Sequence, residues 1–348
     1  MTSVSIGGRA VGEGQPCFIV AEAGANHNRD LGLARTLIDA AVAADADAVK
    51  FQTYSADTLY SKKTPRFAYL ASQGDASTYD LLKSLELPRQ WHAELASYAA
   101  EKHIVFFSSP FDRRAVDELD EVGVPLFKIA SFEIVDLALV RHAASKGKPV
   151  VLSTGMASMG EIEDAVEACR LAGNEQVILL QCASLYPAPA RLMNLRGMDS
   201  MRAAFSCPVG LSDHTRGINV AIAAVGRGAA MLEKHYTLDR GMPGPDHPFA
   251  IEPGELQALV AGVREVEEAL GDGRKTGPSD EEAEEMYRLA RRSLVATQHI
   301  PAGATITAEM ITAKRPGYGL KPKLIDVVVG RTAKADIDED EVLTWDLI

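Results

Sequence analysis

Short apolar runs recur at fairly even spacing along the first two thirds of the chain, and each predicts a β-strand. Most are apolar on both faces, which is typical of parallel strands that are covered on both sides. The opening VSIGGRAVGEG (4–14) predicts a small hairpin before them. The eight runs are FIVAEA (18–23), AVKFQT (48–53), IVFFSS (104–109), PLFKIAS (125–131), PVVLST (149–154), VILLQCAS (177–184), PVGLSD (208–213) and MLEKHYT (231–237).

Helical patterns separate these runs. Residues 31–44 carry apolar side chains at i, i+3, i+4 and i+7, and residues 88–103 begin with Pro88 at a first helical position. Residues 159–173 and 253–271 each end in glycine, a common helix stop. Eight strand–helix units over about 255 residues predict a (β/α)8 barrel. An open doubly wound sheet is the alternative, which is less favoured because no G-x-G-x-x-G motif follows an early strand.

The pattern changes after residue 270. Residues 271–289 are polar and charged, which indicates a linker with a short helix. Residues 290–348 are rich in short strand-like runs and Gly/Pro turns, which predicts a small β-rich domain. A domain of about 60 residues buries little core of its own, so we expect it to pack on another surface. The catalytic barrel is expected over residues 1–270.

Composition and charge exclude several classes of function. The 348 residues include 36 Lys and Arg against 48 Asp and Glu, a formal net charge of −12. This balance excludes a nucleic-acid protein that binds by bulk electrostatics. The four cysteines form no C-x-x-C pair, and the sequence has neither a basic leader nor an apolar run of about 18 residues. We therefore expect a cytoplasmic protein with no membrane partner.

Polar side chains gather at the carboxyl ends of the predicted strands, where barrel enzymes carry their active sites. Lys50 and Lys128 are unusual there, because an unpaired buried charge is costly. Two such lysines on different strands suggest an anion between them, and nearby serines and helix N-termini suit a phosphate. Two alternatives stay open: the lysines pair with Glu22 simply to hold the barrel, or each serine caps the next helix. Other polar residues at these ends are Gln52, Ser108, Ser109, Ser131, Glu133, Ser153, Thr154, Gln181, Ser184, Asp213 and Glu233.

Two histidines suggest a metal. His214 and His235 end adjacent predicted strands, where their side chains come within reach of a shared divalent ion. Structural zinc usually takes four tight protein ligands, and these are missing from the pattern. A labile Mn2+ or Mg2+ that keeps waters and binds a substrate oxygen is the more plausible ion.

Two turn-rich loops carry further candidates. MPGPDH (242–247) follows the eighth strand and is expected to place Asp246 and His247 over the barrel opening. KRPGYG (314–319) has the same character in the small domain, where Arg315 is a candidate clamp for a carboxylate or an amide.

Motifs along nearly the whole chain, from about residue 14 to 345, resemble the bacterial sialic acid synthases, which include legionaminic and pseudaminic acid synthases. A spore-coat polysaccharide relative has similar motifs. The resemblance implies a (β/α)8 TIM barrel, then a small antifreeze-like (SAF) domain that covers the partner's barrel opening in a domain-swapped homodimer. The motifs are FIVAEAGANHN, DAVKFQTY, FFSSPFD, FKIAS, LSTGMAS, YPAPA, VGLSDHT, EKHYTLDR, PGPDH, RRSLVA and KRPGYG.

The resemblance also implies an activity. These transferases condense phosphoenolpyruvate (PEP) with an N-acylated amino sugar, giving a nine-carbon 2-keto acid and phosphate. The implied metal ligands are His214 and His235, with Mn2+ or Mg2+ as the ion. The implied PEP-binding residues are Lys50, Ser109, Lys128, Ser131, Ser153, Ser184 and Tyr186. The implied sugar-binding residues are Glu22, Gln52, Gln73, Tyr186, Asp246 and, from the other subunit, Arg315.

Catalysis is expected from Glu22, Lys50, Lys128 and Glu133, and either glutamate is a candidate to move the proton of the attacking water. Which amino sugar serves as the acceptor stays open. Two rival functions also stay open. One is a Schiff-base aldolase with Lys128 or Lys234 as its amine, and the other is a non-catalytic binding module built on the β-rich tail.

Overall fold

The computed structural model describes residues 3–65 and 77–348. The chain divides at Gly271 into two compact units, Met1–Gly271 and Asp272–Ile348. Within the described residues, no helix combines the length and the apolar character that crossing a membrane requires.

The N-terminal unit is a barrel of eight parallel strands, preceded by the antiparallel hairpin β1 (Ser3–Ile6) and β2 (Arg9–Gly12). Consecutive barrel strands pair with each other at every position but one, and β10 pairs back to β3. Strands β5 and β6 lie side by side but exchange no ladder hydrogen bonds in the described structure. The predicted (β/α)8 barrel is therefore confirmed. Its strands are β3 (Phe18–Gly24), β4 (Ala48–Thr53), β5 (Val105–Pro110), β6 (Phe127–Ile129), β7 (Val150–Ser153), β8 (Val177–Cys182), β9 (Val209–Asp213) and β10 (Met231–His235).

Helices connect these strands and cover their outer faces. The helix predicted over 88–103 begins later than expected, because Pro88 is extended (ψ 120°) and Arg89–Trp91 forms a 3-10 turn before α4. The helices are α1 (Leu31–Ala43), α2 (Ala56–Leu59), α3 (Thr78–Leu85), α4 (His92–Glu101), α5 (Arg113–Val122), α6 (Leu137–Ala144), α7 (Met159–Leu171), α8 (Gly197–Phe205), α9 (Asn219–Gly226) and α10 (Pro253–Leu270).

The C-terminal unit has its own apolar core, which includes Leu294, Ile306 and Leu343. Its only regular sheet in the described chain is an antiparallel pair, and isolated bridges such as Ile300–Ile337 join the other extended segments. Apart from this pair, the β-structure predicted for this domain consists of isolated bridges between turns. The regular elements are α11 (Asp280–Glu282), a π-helical segment (Ala283–Ala290), β11 (Ser293–Ala296), β12 (Ile311–Lys314) and α12 (Ile325–Val328).

Candidate active site

Four buried charged side chains from four barrel strands meet near the carboxyl end of the barrel. Glu22, Lys50, Lys128 and Glu233 are each 4% exposed or less, and we call them the rim cluster. The Lys50 Nζ lies 2.8 Å from Glu22 Oε2 and 3.7 Å from Glu233 Oε2. The Lys128 Nζ lies 3.7 Å from Glu233 Oε1. The two lysines therefore converge on one carboxylate.

The strand register explains this convergence. Glu22 of β3 and Lys50 of β4 are direct ladder partners. Strand alternation places Gln52 on the same face as Lys50, where Gln52 Nε2 donates to Glu22 Oε1 at 2.8 Å. The Lys50 ammonium also donates to Ser109 Oγ at 3.1 Å. Glu22 is thus held from two sides, and Lys50 is held between a carboxylate and a hydroxyl.

The two lysines differ electrostatically. Burial alone would lower the pKa of Lys50, but Glu22 and Glu233 more than offset it, so its pKa is raised. For Lys128, burial outweighs the attraction of Glu233, and its pKa is lowered. Burial raises the pKa of Glu22, against the opposing effect of Lys50. The charge on Lys128 is therefore incompletely compensated, and an added anion beside it would stabilise its charged form.

Three serine hydroxyls form a second feature at the carboxyl end. Ser131 Oγ accepts a hydrogen bond from the backbone N–H of Gly155 at 3.1 Å. A Cβ at Gly155 would lie only 2.2 Å from Ser184 Oγ, so this close approach requires glycine. The hydroxyls of Ser153 and Ser184 are buried and have no hydrogen-bond partner in the described structure. Buried polar groups are nearly always partnered, so these hydroxyls suit a bound ligand.

The capping role considered for the serines is wrong. Helices α5, α6 and α7 are capped by other residues, whose side chains accept from the third backbone N–H of each helix. These caps are Asp112, Asp136 and Ser158. The capping residues come after Ser109, Ser131 and Ser153 in the chain, so these three serines do not cap the helices.

The two candidate metal ligands are adjacent. The ring centroids of His214 and His235 are 5.3 Å apart. The Nδ1 of His214 is 2.8 Å from the Ala183 carbonyl oxygen, which can only accept, so Nδ1 carries a proton. In the neutral ring, Nε2 then holds the lone pair that can bind a metal. The Nδ1 of His235 is buried without a hydrogen-bond partner in the described residues and lies 3.8 Å from Asp246 Oδ2. Burial, reinforced by neighbouring cations, lowers the pKa of His235 well below its usual value.

This donor set fits a labile divalent ion. Burial would lower the pKa of His214, but Cys182 and the Ala183 carbonyl more than offset it, so its pKa is raised. Each imidazole binds a metal in its neutral form. No group of three or more His, Cys, Asp or Glu in the described part of the chain is arranged to hold a metal. An ion on His214 and His235 would therefore take its other ligands from water and substrate, as Mn2+ and Mg2+ do and as structural zinc does not.

Three predicted sugar-binding side chains meet around Gly24. This glycine has a positive φ of 53°, and a Cβ on it would lie 3.1 Å from Asp246 Oδ2 and 3.5 Å from Gln52 Nε2. Glu22 Oε1 would lie 3.4 Å from the same point. Burial raises the pKa of Asp246 to about 6, although His214 and Lys50 oppose this rise. Because Gly24 has no side chain, the polar side chains of Glu22, Gln52 and Asp246 face the same small space.

Glu133, which follows β6, keeps one free oxygen. Its Oε2 is buried and has no hydrogen-bond partner among the described residues. Burial raises the pKa of Glu133 to about 7, and Lys128 opposes this rise. A carboxyl group that titrates near neutral pH is suited to accept or donate a proton.

Two predicted sugar contacts, Gln73 and Arg315, stay predictions. Gln73 lies outside the described residues. Arg315 follows β12 in the C-terminal unit and is exposed.

One expectation was wrong and one rival loses support. His247 is buried instead of facing the barrel opening, and its Nδ1 lies 2.5 Å from the Thr237 hydroxyl, which anchors the loop. Lys234 points to the other face of β10 from Glu233, because strand side chains alternate. Its ammonium is 2.7 Å from Asp213 Oδ2 and also donates to a backbone carbonyl, so it is engaged in the fold.

Sequence reasoning missed the role of Glu233. It listed this residue among the polar groups at the strand ends but gave it no partner. The available signal was a carboxylate inside an apolar run, in a chain whose other strands already contain two buried lysines.

The barrel and the polar groups at the carboxyl ends of its strands define the class: a (β/α)8-barrel enzyme with its site at the usual end. The comparisons with known proteins agree. The NeuB family matches residues 37–275, and a SAF domain matches residues 291–348. The chain belongs to the NeuB family, and the resemblance found in the sequence is confirmed.

Similar proteins carry three different product names. The chain is 41% identical to the N,N'-diacetyllegionaminic acid synthase of Campylobacter jejuni, with 94% of this chain and 98% of that protein covered. It is 37% identical to the pseudaminic acid synthase of Helicobacter pylori, with coverages of 95% and 98%. A crystal structure of the N-acetylneuraminic acid synthetase of Leptospira borgpetersenii has a TM-score of 0.74 and 36% identity, and covers 81% of this chain and 94% of that one. The protein is thus an enzyme of the sialic-acid-type synthase family.

Proposed function

We propose that this enzyme joins PEP to the aldehyde carbon of an open-chain N-acylated amino sugar, forming a nine-carbon 2-keto acid and phosphate. The observation that carries the proposal is the pair Lys50 and Lys128, which reach one buried carboxylate in a barrel that also holds unpartnered hydroxyls. A small anion that accepts many hydrogen bonds is the ligand such a site suits. The product names of the relatives support a condensation of this kind.

The phosphate and carboxylate of PEP would bind to the lysines and hydroxyls. The 3.7 Å distances from Glu233 to the two ammonium groups are too long for hydrogen bonds, so both lysines keep donors for a phosphate. Because barrel strands hold these groups in advance, they would stabilise the anion without reorganising during the reaction. The hydroxyls in this role are those of Ser109, Ser131, Ser153, Ser184 and Tyr186.

The acceptor aldehyde would lie at the two histidines. An Mn2+ or Mg2+ ion held there supplies a Lewis acid for a carbonyl oxygen. Gln52, Glu22 and Asp246 would orient the sugar hydroxyls beside it. We also propose that Arg315 meets the N-acyl group from the small domain of a second copy, in a homodimer.

The chemistry balances with one water. The C3 carbon of PEP forms a bond to the aldehyde carbon, and positive charge develops at C2. Water adds to C2, and the bond from C2 to the phosphate oxygen then breaks. Of the two candidate carboxyls, Glu133 is better placed to take the water proton, because its Oε2 has no partner while Glu22 is held by Lys50 and Gln52.

Isotope labelling tests the proposal. PEP that carries oxygen-18 in the oxygen between C2 and phosphorus would be incubated with Mn2+ and N-acetylmannosamine or its diamino-deoxy analogues. We expect labelled phosphate and a nine-carbon keto acid by mass spectrometry, and neither product after chelation of the metal. Unlabelled phosphate would contradict the mechanism. Borohydride reduction in the presence of pyruvate is the control for the aldolase, since a covalent adduct on Lys128 would favour that rival.

A further inference from the structure

A buried ion pair lies on the outer face of β9 and β10, behind the proposed site. On the inner face, Ser212 Oγ donates to Glu233 Oε1 at 3.0 Å. Asp213 and Lys234 come next along these strands, so their side chains point to the opposite face. Both are buried, with exposures of 0% and 1%. Burial of such a pair is weak evidence for a role in stability, because the cost of desolvation can exceed the attraction between the charges.

The ladder between β9 and β10 ends just before the two candidate metal ligands. Asp213 and Lys234 are its last pair in the described structure. His235 still pairs with Glu22 of β3, so its backbone stays within the sheet. His214, however, lies one residue beyond the end of β9. The distance between the two histidines therefore depends on contacts outside this ladder.

The Lys234 side chain makes contacts on both sides of His214. Its ammonium lies 2.7 Å from Asp213 Oδ2 and also donates to the Thr215 carbonyl oxygen. The other carboxylate oxygen, Asp213 Oδ1, accepts from the backbone N–H of Thr215 at 2.9 Å. These contacts form a closed ring around the backbone of His214, and we call Asp213, Thr215 and Lys234 the Lys234 network.

Other contacts of His214 come from the segment that follows β8. The Ala183 carbonyl orients its ring, and the Ala188 N–H donates to its carbonyl oxygen at 2.9 Å. These contacts fix His214 relative to β8. The Lys234 network adds a connection to β10, which is the strand that carries His235.

We propose that Lys234 is a positioning residue for the divalent ion. By holding the backbone on both sides of His214, it sets the spacing at which His214 and His235 reach one ion together. The inference rests on the proposed function, which assigns the ion to these two histidines. A site with only two protein ligands gains most from ligands that are already in place, because ordering a mobile side chain costs conformational entropy. Residues that orient metal ligands typically contribute about 10- to 100-fold to metal affinity.

Binding of Mn2+ alone tests the inference. Electron paramagnetic resonance of the free ion gives the Kd without PEP, sugar or turnover. The double variant Lys234→Met/Asp213→Asn loses the connection to β10, keeps an amide oxygen for the Thr215 N–H and leaves no lone buried charge. We expect its Kd for Mn2+ to be about 10- to 100-fold above that of the wild type. Its Kd for PEP, measured by calorimetry without metal, should be unchanged, because the proposed PEP ligands lie on the other face of the strands.

Two further variants make the test specific. Lys234→Gln keeps a donor near Asp213 on a side chain that is one bond shorter, so we expect a Kd for Mn2+ about three- to tenfold above that of the wild type. This milder variant decides the test if the double variant does not fold. Arg264→Met is the matched control, because it removes a cation from an ion-pair network at the other end of the barrel. Its Kd for Mn2+ should be unchanged.

The possible failures can be told apart. An unchanged Kd for Mn2+ in the folded Lys234 variants would overturn the inference and leave the proposed function intact. An equal loss in Arg264→Met, or a parallel loss of PEP affinity in the Lys234 variants, would also overturn it, because the effect would then reflect general destabilisation. If the wild type does not bind Mn2+, the metal role in the proposed function and the inference both fall.

Discussion

Charged clusters lie at both ends of the barrel, and they differ in how completely their polar groups are paired. Arg9, Asp47, Arg264 and Glu267 form the base cluster at the amino ends of β3 and β4. Both oxygens of Asp47 accept hydrogen bonds, from Arg9, Arg264 and the backbone N–H of Ile19. Both oxygens of Glu267 accept from Arg264, and one also accepts from a backbone N–H.

The rim cluster is less complete. Glu233 Oε2 is buried without a hydrogen-bond partner in the described chain, and so are the nearby hydroxyls of Ser153 and Ser184. A fully paired network stabilises the fold, whereas unpaired buried groups cost free energy. Groups that a protein keeps at such a cost are expected at sites that a ligand completes. The comparison therefore assigns the base cluster to stability and the rim cluster to function.

Lys128→Met is expected to have the largest effect. It removes one of the two cations proposed to hold the phosphate, and we expect kcat/KM for PEP to fall about a thousandfold or more. The melting temperature should stay the same or rise, because burial already disfavours the charge on Lys128. Steady-state kinetics and thermal unfolding measure the two effects. A variant within tenfold of the wild type would break the functional assignment.

Glu133→Gln tests the proton carrier. If Glu133 acts as the base, the rate should fall about 100- to 10,000-fold. Glu133 has a pKa of about 7, so the wild-type kcat should rise with pH through this value as the carboxyl ionises. The residual rate of the variant should lack this rise. If kcat of Glu133→Gln still rises with pH as in the wild type, Glu22 would be the group that accepts the proton.

The same substitution has a signature in stability. The folded-state pKa of Glu133 lies above the ordinary value of 4.5, so the folded state binds the proton more tightly. Glu133 therefore contributes to the free energy of unfolding of the wild type. This contribution is complete below pH 4.5 and is lost as the pH rises through about 7. Gln carries no charge, so over this pH range the free energy of unfolding of the variant should increase relative to that of the wild type. The increase should be at most about 3 kcal/mol. Urea unfolding at pH 5 and pH 8 measures the difference.

Much of this arrangement could be predicted from the sequence. Parallel strands buried on both faces give continuous apolar runs, so eight such runs at fairly even spacing predict the barrel. Lys50 and Lys128 stood out because a charge inside such a run is costly. The convergence of both lysines on Glu233 was not predictable in the same way. It depends on β10 closing the barrel against β3 and facing β6 across it, which no local pattern encodes.

The sequence does not show which helix and loop residues become buried. His92, within the helical pattern of residues 88–103, is buried, and its Nε2 lies 2.9 Å from the Thr53 hydroxyl. His247 seemed a loop residue over the opening, but tertiary packing turned it inward. In both cases the sequence shows the residue type, while the neighbour that buries it is distant in the chain.

Arg264→Met should give the smallest effect and the opposite pattern. Arg264 donates to the Cys17 carbonyl and to Glu267 at 3.0 Å each, and to Asp47 at 3.0 Å. Its side chain is 30% exposed, so solvent screening limits the loss of stability to about 1–2 kcal/mol. Because the base cluster lies at the end opposite the proposed site, kcat/KM should stay within about twofold. Denaturant unfolding and kinetics beside Lys128→Met provide the check. A large loss of activity with unchanged stability would show that complete pairing does not distinguish structural from functional charge.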